Sequence, residues 1–406
     1  MAQIKDGNSY IPDVFLQKIV QRTDGIARVL RQINSDISAG PYGSATSNVG
    51  GQTIRFTLER EHFVALDNLR FSFTAKTSGG SACFSNGVEN LIKKVSLIVN
   101  ENLATSQDYS GHFAHIYNCM TKSSKFKDTV GTLMMGYRQE GNYPGSLAFA
   151  GQNFSLPLGF DGSALCQDSL LPTFLLGKCQ IEIILESDAG KILETAGAPY
   201  ANEYYTILNP RLEFDMYQSQ ALQAKYDIDR YCLKSVGYVY QDWTVVSQNT
   251  QIQIPAPYKS IRGIMFAMRD SATGVNTTAT SAKTHSFVST NLTSWNFTLA
   301  GQSFPPNPII KDGIHDVVEM MRLFGDNYDS PLINSWWATP ATMQTLNAFS
   351  FQTHAGSISG IQSESRSILP LLFSSKKPTP SKQVICPSTQ RVTIDFDKKA
   401  LTYKGV

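Results

Sequence analysis

After Gly51 the apolar residues recur with a period of two, and this alternation constrains the fold more than any other feature of the chain. Ile54, Phe56 and Leu58 alternate with Thr53, Arg55, Thr57 and Glu59, and Leu69, Phe71 and Phe73 repeat the pattern with Arg70, Ser72 and Thr74. Alternate side chains of a strand point to opposite faces, so each segment predicts a strand with one face in a core. KKVSLIVN up to Val99, FSLPL (154–158), CQIEIILES (179–187) and RLEFDMY (211–217) add strands, separated by turns and long loops. One short helix interrupts them, with Tyr109, Phe113, Ile116, Tyr117 and Met120 along one stripe. Many short strands with little helix predict a sandwich or barrel.

The second half repeats this grammar. GYVYQDWTVV (237–246), TQIQI (250–254), SIRGIMFAM (260–268) and SWNFTLAG (294–301) read as strands. Ile314, Val317, Val318, Met321 and Phe324 then form a second helical stripe, between Asp312 and Gly325. SILPLLF (367–373) is matched with FSLPL, and RVTIDFD (391–397) with RLEFDMY. Leu299 follows Ile98 by 201 residues, Val318 follows His112 by 206 and Pro370 follows Pro157 by 213, whereas Phe396 follows Phe214 by only 182. A nearly constant offset predicts duplication of one unit, with a shorter last loop in the second copy. The expected domains are an arm and linker over 1–50, a first sandwich over 51–220 and a second over 221–406; 406 residues suffice for two cores.

The arm rests on Ile11, Phe15, Ile19, Ile26, Leu30, Ile33 and Ile37, spaced near 3.6 residues, with Lys18, Arg22, Arg28 and Arg31 between them. This predicts an amphipathic helix or helix pair hinged near Gly25 and ended by the turn formers from Ala39 to Ser44. Asp13, Asp24 and Asp36 dilute its positive charge, which argues against a polybasic genome-binding arm.

Composition excludes several functions. The 35 basic residues against 33 acidic ones leave a formal charge of +2, so no global field draws in a polyanion, and specific nucleic-acid binding is not expected. Cys83, Cys119, Cys166, Cys179, Cys232 and Cys386 form no CxxC pair and have no histidine at zinc spacing, so neither a metal site nor a redox motif is expected. No secretory leader or membrane span is read, and the sequons at Asn153, Asn276, Asn291 and Asn296 are then chance matches. No phosphate loop, zincin motif, nucleophile elbow or dinucleotide fingerprint occurs, so no catalytic residue and no cofactor is assigned. His112 and His115 stand three apart on the first helix without a carboxylate or thiol at a telling spacing. Satisfied or surface histidines are the favoured reading. Glu182 and Glu186 are placed together on the outer face of one strand, as solvated residues rather than a glycosidase pair.

Only 17% of residues are charged. Between Ser271 and Ile310 the single charged side chain is Lys283, and between Ser330 and Ser363 there is none. Trp295, Trp336 and Trp337 in these neutral stretches favour surfaces buried between subunits.

VENLIKKVSLIVNENL (88–103), FSLPLGF (154–160), LLPTFLLGKCQIEIILE (170–186) and WNFTLAGQSFPPNPI (295–309), with the order of elements over roughly 50–404, resemble the double jelly-roll major capsid proteins of tailless icosahedral DNA viruses. The likeness is nearer to the internal-membrane bacteriophage and polinton-like type than to the giant-virus versions. It implies an all-β chain of two tandem eight-stranded jelly rolls that forms a homotrimer, a pseudo-hexagonal capsomer packed against neighbouring capsomers, minor capsid or penton proteins and an internal lipid membrane. It also implies a structural, non-enzymatic protein of the virion, assembled inside the host cell. In that setting Phe15, Lys18, Ile19, Arg22, Ile26, Leu30, Ile33 and Ile37 are expected either beneath the shell, on a capsomer or lipid, or packed on their own subunit. The competing reading is a non-capsid β-sandwich binding protein: a spike, a penton or a carbohydrate-binding module, the last hinted at by Asp242 and Trp243.

Overall fold

The computed structural model describes residues 27–37, 40–43, 52–136 and 151–186 with short breaks, 193–195 and 205–218. Beyond these it describes 235–248, 252–255, 263–269, 292–299, 302–310, 318–323 except 320, 346–351, 368–375, 381–395 and 400–405. Eight principal strands form the first half: β1 (Ala27–Asn34), β2 (Thr53–Leu58), β3 (Arg70–Thr77), β4 (Ile92–Val99), β5 (Asn102–Asp108), β6 (Gln152–Pro157), β7 (Cys179–Leu185) and β8 (Tyr205–Gln218). Eight more form the second: β9 (Ser235–Gln248), β10 (Ile252–Pro255), β11 (Gly263–Arg269), β12 (Leu292–Leu299), β13 (Gln302–Ile310), β14 (Leu346–Ser350), β15 (Ile368–Ser375) and β16 (Ser381–Asp395).

In the first half one sheet runs β1-β8-β3-β6 and the other β2-β7-β4-β5, all antiparallel. The second half gives β9-β16-β11-β14 and β10-β15-β12-β13. The two orders are identical once each half is counted from its own first strand. Short strands extend the sheets: Tyr42–Gly43 and Phe63–Ala65 border β8, and Ala400–Gly405 pairs with the end of β16.

The alternation read from the sequence explains the first core. In β2, Ile54, Phe56 and Leu58 are buried; in β7, so are Cys179, Ile181, Ile183 and Leu185. Facing them, β3 supplies Phe71, Phe73 and Ala75, and β8 supplies Ile207, Leu212, Phe214 and Met216. Phe56 meets Phe71 edge-on at 6.1 Å between ring centroids, so the two sheets touch through these rings. The β4–β5 hairpin turns through Asn100 and Glu101, both at positive φ, and Asn100 bonds Lys178 through both its backbone N–H and its side chain. Two central residues in the left-handed region suit the twist of a two-residue hairpin.

A helix, α1 (Ser110–Thr121), follows β5, and helical residues 318, 319 and 321–323 follow β13. Both interruptions therefore stand between the fifth and sixth strands of their halves, as the duplication argument requires. The pairing of SILPLLF with FSLPL is not upheld: FSLPL lies in the sixth strand, β6, whereas SILPLLF lies in the seventh, β15, whose counterpart is β7. The motifs share a proline between apolar residues, which does not report a strand's place in the order: β6 ends its sheet, whereas β15 lies between β10 and β12. With β7 and β8 matched to β15 and β16, the shorter last loop expected of the second copy stands: 19 residues separate β7 from β8 and 5 separate β15 from β16.

The expected helical arm is overturned over its described part. Residues 27–34 are β1, paired antiparallel along their whole length with Gln218–Arg211 of β8. The first sandwich therefore starts before residue 51. Apolar residues spaced near 3.6 gave this segment its helical reading, but pairing with β8 decides its conformation. Residues 1–26, with Phe15, Lys18, Ile19, Arg22 and Ile26, lie outside the described residues.

Candidate functional site

The described surface that stands out is the edge formed by β1. Its residues are exposed on both faces apart from half-buried Ile33, which packs against the core. Leu30 is 64% exposed and Ile37, just beyond the strand, 62%. Polar links replace apolar burial here. Arg28 donates to Asp215 at 2.6 Å, Gln32 donates to Glu213 at 2.9 Å, and Arg31 lies 3.4 Å from Glu59. Asp215 is buried and also accepts from Asn68 at 2.9 Å. The carboxylate beside it, chiefly by hydrogen bonding and then by charge, raises the Arg28 pKa above its already high ordinary value. Asp36 extends the clamp, accepting from the Thr57 N–H and hydroxyl.

The structure brings Leu30, Ile33 and Ile37 to this edge, but not along one helical face. Trp295 is not an interface residue: it is 1% exposed and stacks near Phe297, inside the second sandwich. Its place on β12 makes it an inward-facing strand residue, and Phe297 in turn meets Phe349 and Phe351. Trp336 and Trp337 lie outside the described residues, as do the side chains of Asp242 and Trp243.

The histidine reading holds for one residue with an addition. His115 is buried, with Nδ1 2.8 Å from a Glu89 carboxylate oxygen, tying α1 to the turn at Val88–Leu91. No spacing signal marks this pair, since its members are 26 residues apart on different elements. Glu182 does face outward and is paired to Arg55 at 2.7 Å. Glu186 does not: it is buried, and its carbonyl accepts from the Tyr205 hydroxyl. The register shifts between Ile184 and Leu185, which ends the simple alternation before Glu186. Among the described residues no three His, Cys, Asp or Glu side chains group as a metal site, and no described helix is long and apolar enough to cross a membrane.

No family model and no curated protein matches the sequence. Solved structures match it nearly end to end. The PBCV-1 virus capsid model aligns at TM-score 0.59 and 13% identity, over 96% of this chain and 99% of that one. The Faustovirus major capsid protein gives 0.54 and 9%, over 93% and 92%, and the mavirus major capsid protein 0.50 and 10%, over 92% and 90%. This chain has the double jelly-roll fold. The double jelly roll accounts for both strand orders at once, since each of its halves places strands one, eight, three and six in one sheet and two, seven, four and five in the other. At identities this low the likeness is one of fold.

Proposed function

We propose that this chain is the major capsid protein of an icosahedral virus, a structural component of the virion rather than an enzyme. The observation that carries the reading is the pair of identical strand orders in one chain, combined with end-to-end likeness to capsid proteins at TM-scores of 0.50–0.59. Two like sandwiches per chain give a six-lobed ring when three chains close by cyclic symmetry, and such rings tile a shell. Sandwiches whose edges are covered or blunted pack densely without unlimited strand pairing. In this reading the partners are further copies of the chain, with minor capsid or penton proteins and an internal membrane at the shell's joints and inner face. In this reading Phe15, Ile19 and Ile26, which precede β1 in the sequence, serve contacts with a neighbouring capsomer or with lipid.

Expression of the full-length chain followed by negative-stain microscopy tests this. Six-lobed rings or closed shells are expected. Stable single subunits with neither form contradict the proposal.

A further inference from the structure

We infer that β1 is a releasable strap: it lifts off β8 as a unit while the sandwich beneath stays folded, and ionic strength sets how often it does so. The strap goes beyond the capsid reading; its use in a shell rests on that reading. β1 and β6 end the same sheet, one at each side. β6 buries Phe154 and Leu156 and so is tied to the core. β1 buries none of its eight residues, and Ile33 is half-buried at most. Beyond its backbone ladder, β1 is held by the polar links Arg28–Asp215, Arg31–Glu59 and Gln32–Glu213. The arginine side chains of the two ion pairs are 64% and 46% exposed. Exposed ion pairs contribute little and are screened by salt. An element with few buried apolar contacts and solvent-exposed hydrogen bonds opens locally, well below the cost of global unfolding. Opening does not strand Asp215 either: the carboxylate keeps the Asn68 amide and gains water at the vacated edge.

The strap has a fixed pivot. Tyr42 is buried in the first core, and Tyr42–Gly43 pairs with Ile207 and Thr206 of β8. Gly40, at positive φ, passes so close to β8 that a Cβ there would stand 2.9 Å from the Ile207 carbonyl oxygen. Opening therefore stops short of Gly40. It adds residues 27–37 to the reach of the residues before them, up to roughly 35 Å of extended chain. In a shell, that change of reach lets the N-terminal segment meet lipid or a neighbouring capsomer at more than one distance.

Hydrogen exchange on the full-length protein reads the opening. Limited trypsin digestion reads it independently, because cutting after Arg28 or Arg31 requires that backbone to leave the ladder. Peptides covering 27–34 are expected to exchange roughly tenfold faster than those of β6, the opposite end of the sheet. Raising the salt from about 0.05 M to about 0.5 M is expected to speed exchange in β1 several-fold and leave β3 and β7 unchanged. Arg28→Ala is expected to do the same at low salt, with cutting after Arg31 accelerated in step. Gln32→Cys with Glu213→Cys, at directly opposed positions, is expected to hold the strap shut when oxidised and to abolish both signals until reduced. If the variants fail to fold, the wild-type salt response decides. A β1 that exchanges no faster than β6, or whose exchange ignores salt, overturns the strap and leaves the capsid reading standing. Single subunits that form neither rings nor shells overturn the capsid reading, while a fast, salt-sensitive β1 in them still upholds the strap.

Discussion

Arg28 and Asp215 lie 187 residues apart in sequence and are joined by a 2.6 Å hydrogen-bonded ion pair that fastens β1 to β8. Asp215 is the buried member and Arg28 the exposed one. The energetic weight of the link therefore sits on the carboxylate, which needs hydrogen-bond donors for its charge wherever water is excluded. Asp215→Ala is expected to destabilise the first sandwich by about 1–3 kcal/mol, because it leaves the Asn68 amide and the Arg28 guanidinium without their acceptor. Arg28→Ala is expected to cost less. Urea midpoints of the two variants check the order.

Burial pushes the Cys179 thiol up from 9.0 to about 12, and burial with the nearby Glu186 pushes the Tyr205 phenol up from 10.0. Both groups are neutral in the folded protein when the unfolded chain already ionises them. Their contribution is complete below the unfolded values and is lost as pH rises toward the folded ones. Stability is expected to fall from about pH 9 upward, at about 1.4 kcal/mol per pH unit for each ionising group. Tyr205→Phe should flatten the decline above about pH 10. Urea denaturation at a series of alkaline pH values measures both slopes.

Gly111 lets α1 approach the Val88–Leu91 turn: a Cβ there would stand 1.7 Å from the Glu89 carbonyl oxygen. Gly111→Ala must push the helix off the turn and disturb the buried His115–Glu89 contact. A loss of about 1–3 kcal/mol is expected from such overpacking, read as a lower melting temperature.

Trp295→Ala should cost about 3–5 kcal/mol, the range for deleting a buried aromatic side chain, and should unfold the second sandwich at lower denaturant. The same substitution in an interface residue would leave the isolated chain's stability nearly unchanged. Equilibrium denaturation under dissociating conditions separates the two.

The core strands were legible because their alternation is local: β2, β3 and β7 each show it within a few residues. The elements that escaped are those whose local signal points elsewhere. Around β1 the sequence has Ile26, Leu30, Ile33 and Ile37 at helical spacing, so the segment reads as a helix until β8 offers Asp215 and Glu213 as partners. β13 contains Pro305, Pro306 and Pro308 and does not read as a strand, yet it is an outer strand of its sheet, where missing N–H groups cost little. β5 carries no such alternation, since NLATSQD has a single large apolar residue. Trp295 looked like an interface residue because low charge density marks buried surface without saying whether it is buried within a chain or between chains. The β1 edge surface was invisible for the same reason as the Arg28–Asp215 pair: both depend on chain segments far apart in sequence.

The most direct test of the central claim is electron cryo-microscopy of the purified full-length protein. The account predicts a ring of three chains with six sandwich lobes. Isolated two-lobed subunits would contradict it.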